Sequence, residues 1–310
     1  MVIRHSDGKN KMKYGMPYKG SKNKLAGKIF ELFPRKKNFY DLFCGGCAMT
    51  HYGLLHGGFE NFYMNDINPA CSELFIDAVH GKFKDEKRWI SREDFEKLKD
   101  VEPYVAFCWS FGNNLRNYLY SKEIEELKRA WHYAIFFDDF EPAKKLTGID
   151  FSPIKNIKNR KEKYLTSKEI IRKFYNPSVF GGNQELERLE SLERLERLES
   201  LQSFNKSYHE IEIKKDSVIY CDIPYEGTDG YLTEFDFEKF YSWCEKQTEP
   251  LFISSYKMPS DRFVCVAMFK HRCTLNGYQN IEVTEKVFIP KHQEKEYHLP
   301  GSLFNFDELM

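Results

Sequence analysis

The chain has 310 residues, of which 41% are hydrophobic and 16% aromatic, and this excludes a chain that is disordered throughout. Lys and Arg equal Asp and Glu at 47 each, so a face that binds a polyanion must come from local basic segments. No apolar run approaches the ~18 residues that span a bilayer. The polar N-terminus lacks the apolar stretch of a secretory signal. The 8 cysteines do not form a dense framework, which indicates reduced thiols in a cytoplasmic protein.

The first quarter of the chain predicts helices and strands in alternation. Short strands are predicted over 38–43 and 61–65, and helices over 24–33 and 69–81. A glycine turn follows the first strand, and Asp66 follows the second strand at once. This order is typical of an α/β protein with a parallel sheet.

The middle of the chain has a different character. Residues 91–147 carry helical patterns rich in aromatic side chains and predict a helical insertion, whereas 151–182 predict basic loops with one short helix after Ser167. Residues 1–40 hold 11 Lys and Arg against 2 acids, a local charge of +9, and residues 155–176 hold 8 against 2, a local charge of +6. Two such segments on a neutral chain indicate a polyanion-binding face, although either one alone fits equally well with lysines that only solvate the surface.

A low-complexity repeat places Leu at every third residue from 186 to 201, with Glu, Arg and Ser between. Three residues turn an α-helix by about 300°, so the leucine stripe winds around the helix and no single face can bury it. We therefore exclude a leucine zipper, which needs a 3.5-residue repeat.

From Ser207 the α/β alternation resumes. Strands are predicted over 217–222, 251–255, 263–269 and 281–289, and a helix over 236–245. The whole pattern predicts a seven-stranded, mostly parallel sheet flanked by helices and interrupted by the helical insertion.

The residues at the end of the strand over 217–222 suit the recognition of a flat, aminated ring. The carboxylate of Asp222 can accept a hydrogen bond from an exocyclic amine, and the carbonyl of Ile223 can accept a second. Pro224 is rigid, and Tyr225 offers a ring for stacking. The alternative is an ordinary strand followed by a turn.

Two further segments suit an adenosine-containing cofactor. The glycine pair within Asp41–Cys47 lets a ligand approach the backbone, and Asp66 stands about 20 residues later, where an acid binds ribose hydroxyls. These features do not separate a dinucleotide from S-adenosylmethionine, but the absence of Gly-x-Gly-x-x-Gly disfavours the dinucleotide. Cys44 and Cys47 also leave open a redox or zinc site, which the lack of a second Cys-x-x-Cys disfavours.

The motifs, and the order in which they occur along the chain, resemble those of the Dam-type DNA adenine-N6 methyltransferases, whose signature is Asp-Pro-Pro-Tyr. The matching segments are Tyr18–Lys22, Asp41–Cys47, Asp66, Lys206–Tyr208 and Asp222–Tyr225. The resemblance covers residues 14–80 and 203–260 well and the helical middle in outline. Cys47 stands where the family's glycine turn has its second glycine. Ile223 replaces the first Pro of the signature and keeps the backbone carbonyl that this Pro supplies.

The resemblance implies an α/β fold: a Rossmann-like methyltransferase sheet, mostly parallel with an antiparallel strand, plus an inserted, mainly helical target-recognition domain. We expect residues 1–100 and 203–310 to form the catalytic domain, 101–182 the recognition insertion and 183–202 the leucine repeat.

The implied activity is site-specific transfer of the methyl group of S-adenosylmethionine to the N6 amine of an adenine flipped out of double-stranded DNA, with no metal. The implied catalytic residues are Asp222, Ile223, Pro224 and Tyr225. The implied cofactor-binding residues are Tyr18, Lys22, Asp41, Phe43, Gly45, Asp66 and Asp222. The candidates for DNA binding are Asn113, Asn114, Arg116, Lys155, Lys158 and Arg160.

Two other functions remain open at this point. One is a methyltransferase-like protein that binds nucleic acid but has lost catalysis, and the other is an N-methyltransferase of RNA or of a protein amide. We expect a cytoplasmic monomer without membrane contact; whether a companion restriction endonuclease exists stays open.

Overall fold

The computed structural model describes residues 14–16, 18, 20–173, 198–224, 235–275 and 279–297. These residues form two compact units. The first contains residues 14–15, 20–75 and the described residues from 198 onward, and the second contains Met16, Tyr18 and residues 76–173.

The first unit is built on one seven-stranded sheet of order β3-β2-β1-β4-β5-β7-β6. The strands are β1 Asn38–Asp41, β2 Asn61–Asn65, β3 Leu201–Phe204, β4 Ser217–Asp222, β5 Leu251–Ser255, β6 Phe263–Leu275 and β7 Gln279–Pro290. Neighbours from β3 through β5 pair in parallel, whereas β7 pairs antiparallel with both β5 and β6. The predicted mostly parallel α/β sheet is confirmed.

The central strands are buried on both faces, as a parallel sheet covered by helices requires. Every residue of β1, β4 and β5 is buried apart from Asp222, which is half-buried at the end of β4. The first unit's helices are α1 Ala26–Phe30, α2 Ala48–His56, the start of α3 Pro69–Val79, and α9 Phe237–Cys244. A core of Tyr40, Ile219, Ile253 and Phe240 joins α9 to the sheet.

The strand order reverses direction between β1 and β4, since β2 lies on one side of β1 and β4 on the other. Ligands of open α/β sheets bind at such a switch point, outside the carboxyl ends of the strands. Asp41 ends β1, Asp222 ends β4, and Asp66 follows β2 directly. The fold therefore brings three of the predicted site residues to one edge of the sheet.

Three parts of this unit differ from the sequence prediction. The predicted helix over 24–33 is a 3-10 turn, Lys22–Lys24, followed by the short α1. Helix α2 was not predicted, and neither was β3, which starts on the last leucine of the repeat. Strand β3 has no fully buried residue, so it lacks the alternation that marks a strand in sequence. The rest of the repeat up to residue 197 lies outside the described residues.

The second unit is helical, as predicted. Its helices after α3 are α4 Arg92–Leu98, α5 Pro103–Cys108, α6 Lys122–Phe137, α7 Glu141–Thr147 and α8 Arg160–Arg172. Ser91 caps α4 by accepting a hydrogen bond from the backbone N–H of Asp94. The side chains of Trp131, Ile135, Phe151 and Ile171 share one apolar core.

The prediction of a short helix after Ser167 is wrong. Helix α8 begins at Arg160, where Asn159 is the cap and accepts from the backbone N–H of Glu162. Ser167 lies inside the helix, fully buried, and donates its hydroxyl to the carbonyl of Tyr164. Serine is favoured at helix starts because its hydroxyl bonds nearby backbone, and here it makes such a bond from within the helix.

Candidate active site

The centre of the site is an ion pair between Asp222 and Lys22. Lys22 Nζ lies 2.7 Å from one carboxylate oxygen of Asp222 and 2.8 Å from the other. It also lies 3.3 Å from the carbonyl oxygen of Gly20 and 3.8 Å from the Glu285 carboxylate. The two residues are 200 positions apart in the chain, so the pair exists only in the folded protein.

Lys22 carries a positive charge in this setting. It is 5% exposed, and burial by itself would lower the pKa of its ammonium. The carboxylates of Asp222 and Glu285 act in the opposite sense and raise the pKa of Lys22 above its usual value. The ammonium therefore stays protonated at neutral pH and fixes the Asp222 carboxylate at the end of β4.

Asp41 is a buried carboxyl group at the end of β1. One of its oxygens accepts hydrogen bonds from the backbone N–H of Thr50, at 3.2 Å, and from the Thr50 hydroxyl, at 2.7 Å. The other oxygen has no hydrogen-bond partner among the described residues. Burial raises the pKa of Asp41 to about 7, and the negative charge of Asp222 adds to this effect while the Thr50 bonds oppose it.

Asp66 is held by the backbone around it. The N–H of Gly45 donates to one of its oxygens at 2.8 Å, and the N–H of Asn68 donates to the other at 2.9 Å. The Asn205 amide, after β3, donates to the carbonyls of Asp66 and Ile67 at 2.7 and 3.1 Å. Asn205 belongs to no predicted motif, because only the pairing of β3 with β2 brings it to this loop.

The glycine turn is tightly packed against the N-terminal segment. Gly15 has φ +66°, and a Cβ atom at this position would lie 2.2 Å from the carbonyl oxygen of Gly46. Only glycine can bring the segment so close. Cys47, which replaces the family's second glycine, has φ 56° and ψ 28°, a left-handed conformation that favours glycine.

The thiols of Cys44 and Cys47 lie 3.7 Å apart and both are buried. The pKa of Cys44 is raised mainly by its hydrogen bond with Cys47 and to a smaller extent by burial. The pKa of Cys47 is raised mainly by burial. Thiols with raised pKa values are poor nucleophiles and poor metal ligands. No cluster of three His, Cys, Asp or Glu side chains suited to a metal occurs in the described parts of the chain.

The apolar members of the predicted site lie beside the acids. Phe43 packs against Tyr208 and Phe240, with ring centroids 5.4 and 5.9 Å apart. The Ile223 side chain is 2% exposed and belongs to the core under the sheet. An apolar side chain is therefore accommodated where the family has proline. Tyr225 lies outside the described residues.

Pro224, directly after Ile223 in the first unit, is half-buried. The other predicted site residues not yet placed belong to the second unit. The Tyr18 ring stacks on Phe107, with centroids 6.0 Å apart. Asn114 accepts from the backbone N–H groups of Arg116 and Asn117, at 2.9 and 3.0 Å, so its oxygen shapes a turn. Arg116, Lys155 and Lys158 are exposed. The side chains of Asn113 and Arg160 are outside the described part of the chain.

A seven-stranded sheet with a single antiparallel strand, β7, and with acids at the carboxyl ends of its central strands defines a Rossmann-like methyltransferase. The model of one family, the D12 class N6 adenine-specific DNA methyltransferases, matches residues 18–251. The chain belongs to this family and is an enzyme that methylates the N6 amine of adenine in DNA. No curated protein matches the chain. None of the helices in the described residues is long and apolar enough to cross a membrane.

Proposed function

We propose that the enzyme methylates an adenine flipped out of double-stranded DNA, that S-adenosylmethionine is the methyl donor, and that both bind at the carboxyl ends of β1, β2 and β4. The observation that carries this proposal is the position of Asp222. Its carboxylate ends β4 at the switch point of the sheet, is oriented by Lys22 and is followed directly by the Ile223 carbonyl.

The acids at this edge fit the donor. S-adenosylmethionine supplies an electrophilic methyl group on a positively charged sulfur, and its amino acid part carries an ammonium group. The Asp41 oxygen that has no partner among the described residues is a buried acceptor suited to such cationic groups. Asp66 is the candidate for the ribose hydroxyls, and Gly45 and Phe43 would line the same loop.

Catalysis in this proposal depends on orientation. Asp222 and the Ile223 carbonyl each accept one N–H of the target amine, which aims the nitrogen lone pair at the methyl group. Asp222 need not be a strong base, because the methylated nitrogen becomes acidic and then loses its proton. Tyr225 would stack on the flipped base and offset part of the cost of unstacking, with Pro224 holding the turn.

Substitution of Asp222 tests the assignment. We expect Asp222→Ala to lower methyl transfer into adenine-containing duplex DNA by about two orders of magnitude or more, because the amine loses the acceptor that orients it. Asp216→Asn is the control, since Asp216 directly precedes the same strand at the end away from the site and is half-buried, as Asp222 is. Radioactive methyl incorporation measures both. An Asp222→Ala enzyme as fast as wild type would refute the assignment.

The same assay separates the acceptors. Offered duplex DNA, RNA and protein in parallel, the wild-type enzyme should label DNA, and the label should be recovered as N6-methyladenine. Label in RNA or protein alone would favour the other N-methyltransferase activities. Cofactor binding without label in any acceptor would favour a binding protein that has lost catalysis.

We assign DNA recognition to the second unit, which corresponds largely to the predicted insertion over 101–182. The exposed side chains of Arg116, Lys155 and Lys158 support the assignment, since Arg suits base edges and Lys suits phosphates. The proposal describes a cytoplasmic monomer in which each molecule carries a whole site. A companion restriction endonuclease would be revealed by cleavage of the unmethylated target sequence.

A further inference from the structure

Two asparagines join the end of β2 to the segment that follows β3. The ladder between these strands ends at the pair Asn65–Phe204. Beyond this pair, the amide of Asn205 donates to the carbonyl oxygens of Asp66 and Ile67, at 2.7 and 3.1 Å. In the opposite direction, the side chain of Asn65 bonds the backbone of the segment after β3. Side chains therefore hold the two segments together where the pairing of the strands has stopped.

The Asn65 side chain fixes the position of the residue next to Asn205. Its amide nitrogen donates to the carbonyls of Lys206 and Leu42, at 3.0 and 3.1 Å, and its oxygen accepts from the Lys206 N–H at 3.0 Å. Asn65 is 2% exposed, and a buried amide is tolerated only when its polar atoms are bonded in this way. The segment after β3 is therefore held against the ends of both β1 and β2.

The same segment is anchored on its far side by an aromatic contact. Ser207 precedes a 3-10 turn, Tyr208–Glu210. The ring of Tyr208 is 8% exposed and packs against Phe43, with centroids 5.4 Å apart. Asn205 thus lies between two fixed points, the strand ladder and this turn, and its amide is directed at the loop that carries Asp66.

The stability of the fold does not explain Asn205. Its side chain is exposed, so water can replace its bonds to the two carbonyls, and the net contribution of such bonds to stability is small. What the bonds restrict is the loop after β2, because they fix the peptide groups that follow Asp66 and Ile67. The Asp66 carboxylate is the candidate for the ribose hydroxyls, and a hydrogen bond forms only over a narrow range of distances and angles.

We infer that Asn205 is a positioning residue for the cofactor, which holds the loop after β2 so that the Asp66 carboxylate is in place before the ribose arrives. This inference rests on the proposed function. A loop that is in the binding arrangement for only a fraction of the time binds its ligand more weakly by that fraction. The effect of Asn205 is therefore expected on the affinity for the cofactor and not on the methyl transfer step.

The test begins with Asn205→Ala. We expect the affinity for S-adenosylmethionine, measured by calorimetry, to fall about tenfold, the order of magnitude for the loss of one or two hydrogen bonds. The rate of methyl transfer at saturating cofactor should stay within about twofold of wild type, and the melting temperature should be unchanged because an exposed side chain leaves no cavity.

Two further variants show whether hydrogen-bond donation is the cause. Asn205→Asp keeps the shape of the side chain but replaces the donating nitrogen by an oxygen that repels the two carbonyls, so it should bind the cofactor at least as weakly as the alanine variant. Asn61→Ala is the control. The Asn61 amide donates to the Asn38 side chain at 3.0 Å at the other end of β2, and its loss should leave the affinity unchanged.

The free enzyme gives a second measurement that needs no cofactor. The backbone N–H groups of Gly45 and Asn68 donate to the Asp66 carboxylate, at 2.8 and 2.9 Å. If Asn205 holds this loop, both amides should exchange with deuterium faster in Asn205→Ala than in wild type when followed by NMR. The amide of Thr50, which donates to Asp41, should exchange at the wild-type rate.

An Asp66→Ala enzyme separates positioning from direct contact with the cofactor. If Asn205 acts through Asp66, adding Asn205→Ala to Asp66→Ala should cause no further loss of affinity. Losses that multiply would mean that Asn205 contacts the cofactor itself and would overturn the inference, and so would wild-type affinity in Asn205→Ala or Asn205→Asp. A wild-type enzyme that binds no S-adenosylmethionine would overturn the proposed function instead, and the exchange of Gly45 and Asn68 would still decide whether Asn205 holds the loop.

Discussion

At the scale of single residues, the buried acids of the site make stability depend on pH. The folded-state pKa of Asp41 is raised to about 7 by burial, whereas an aspartate in an unfolded chain titrates near 4. Below about pH 4 the group is protonated in both states and has no effect. Between about pH 4 and 7 only the unfolded state loses the proton, so stability falls as the pH rises, and above about 7 the effect is constant.

Asp41→Asn should remove this dependence, because the amide keeps an oxygen for Thr50 but does not titrate. We expect the free energy of unfolding of wild type, minus that of the variant, to decrease from about pH 4 to about pH 7, by about 1.4 kcal/mol for each unit by which the pKa is raised. Urea unfolding at a series of pH values measures the difference, in which the other titrating groups cancel. A difference that does not change with pH would contradict the burial of an ionisable Asp41.

Cys47 allows a second prediction at this scale. Both Cys47→Gly and Cys47→Ala remove the thiol, so the two variants differ only in the freedom of the backbone and in one buried methyl group, which favours alanine. Because the position is left-handed, with φ 56°, we expect the glycine variant to be more stable than the alanine variant by about 1 kcal/mol. Ala78→Gly inside α3 is the control, where glycine should be the less stable residue by a similar amount. In thermal melts, glycine should give the higher melting temperature at position 47 and alanine the higher one at position 78.

At the scale of elements, the cap of α8 can be tested in the second unit. Asn159 accepts a hydrogen bond from the backbone N–H of Glu162 at 3.0 Å. Its replacement by alanine should lower the free energy of unfolding by about 1 kcal/mol. We expect amides in the first turn of α8 to exchange with deuterium faster in Asn159→Ala. Asn156→Ala, at an exposed position before the helix, should leave their exchange unchanged. Equal exchange in both variants would mean that α8 does not depend on this cap.

The strands of the sheet differ in how far they could be predicted from the sequence. The strands β1, β2, β4 and β5 are short runs rich in apolar residues, and an acid stands at or just after the ends of β1, β2 and β4. Both these strands and the acids Asp41, Asp66 and Asp222 were therefore predictable. Strand β3 was not, since its residues are partly exposed and lie at the end of a repeat that suggests a helix. The contacts of Asn205 and Glu285 depend on which strands are neighbours, and a local pattern contains no such information.

At the scale of the whole molecule, the proposed DNA contacts predict a strong dependence on salt. Each lysine that neutralises a phosphate releases about one counterion, so the affinity for duplex DNA should fall steeply between low and high salt. We expect Lys155→Ala and Lys158→Ala each to reduce the slope of log affinity against log salt by about 1. Lys97→Ala is the control, because Lys97 is already paired with Glu93 at 2.6 Å. Binding that does not change with salt would exclude an electrostatic interface.

The separation of Lys22 from its two carboxylates has a consequence for synthesis on the ribosome. Lys22 emerges first, Asp222 follows 200 residues later, and Glu285 later still. Strands β1 and β2 are synthesised before the second unit, and β4 after it. The centre of the sheet, where β1 pairs with β4, can therefore form only after β4 has been synthesised. Contacts between such distant segments make folding slow. A nascent chain in which β7 has not yet been synthesised therefore lacks Glu285 and the neighbour of β5, so the surroundings of Lys22 are completed only late in synthesis.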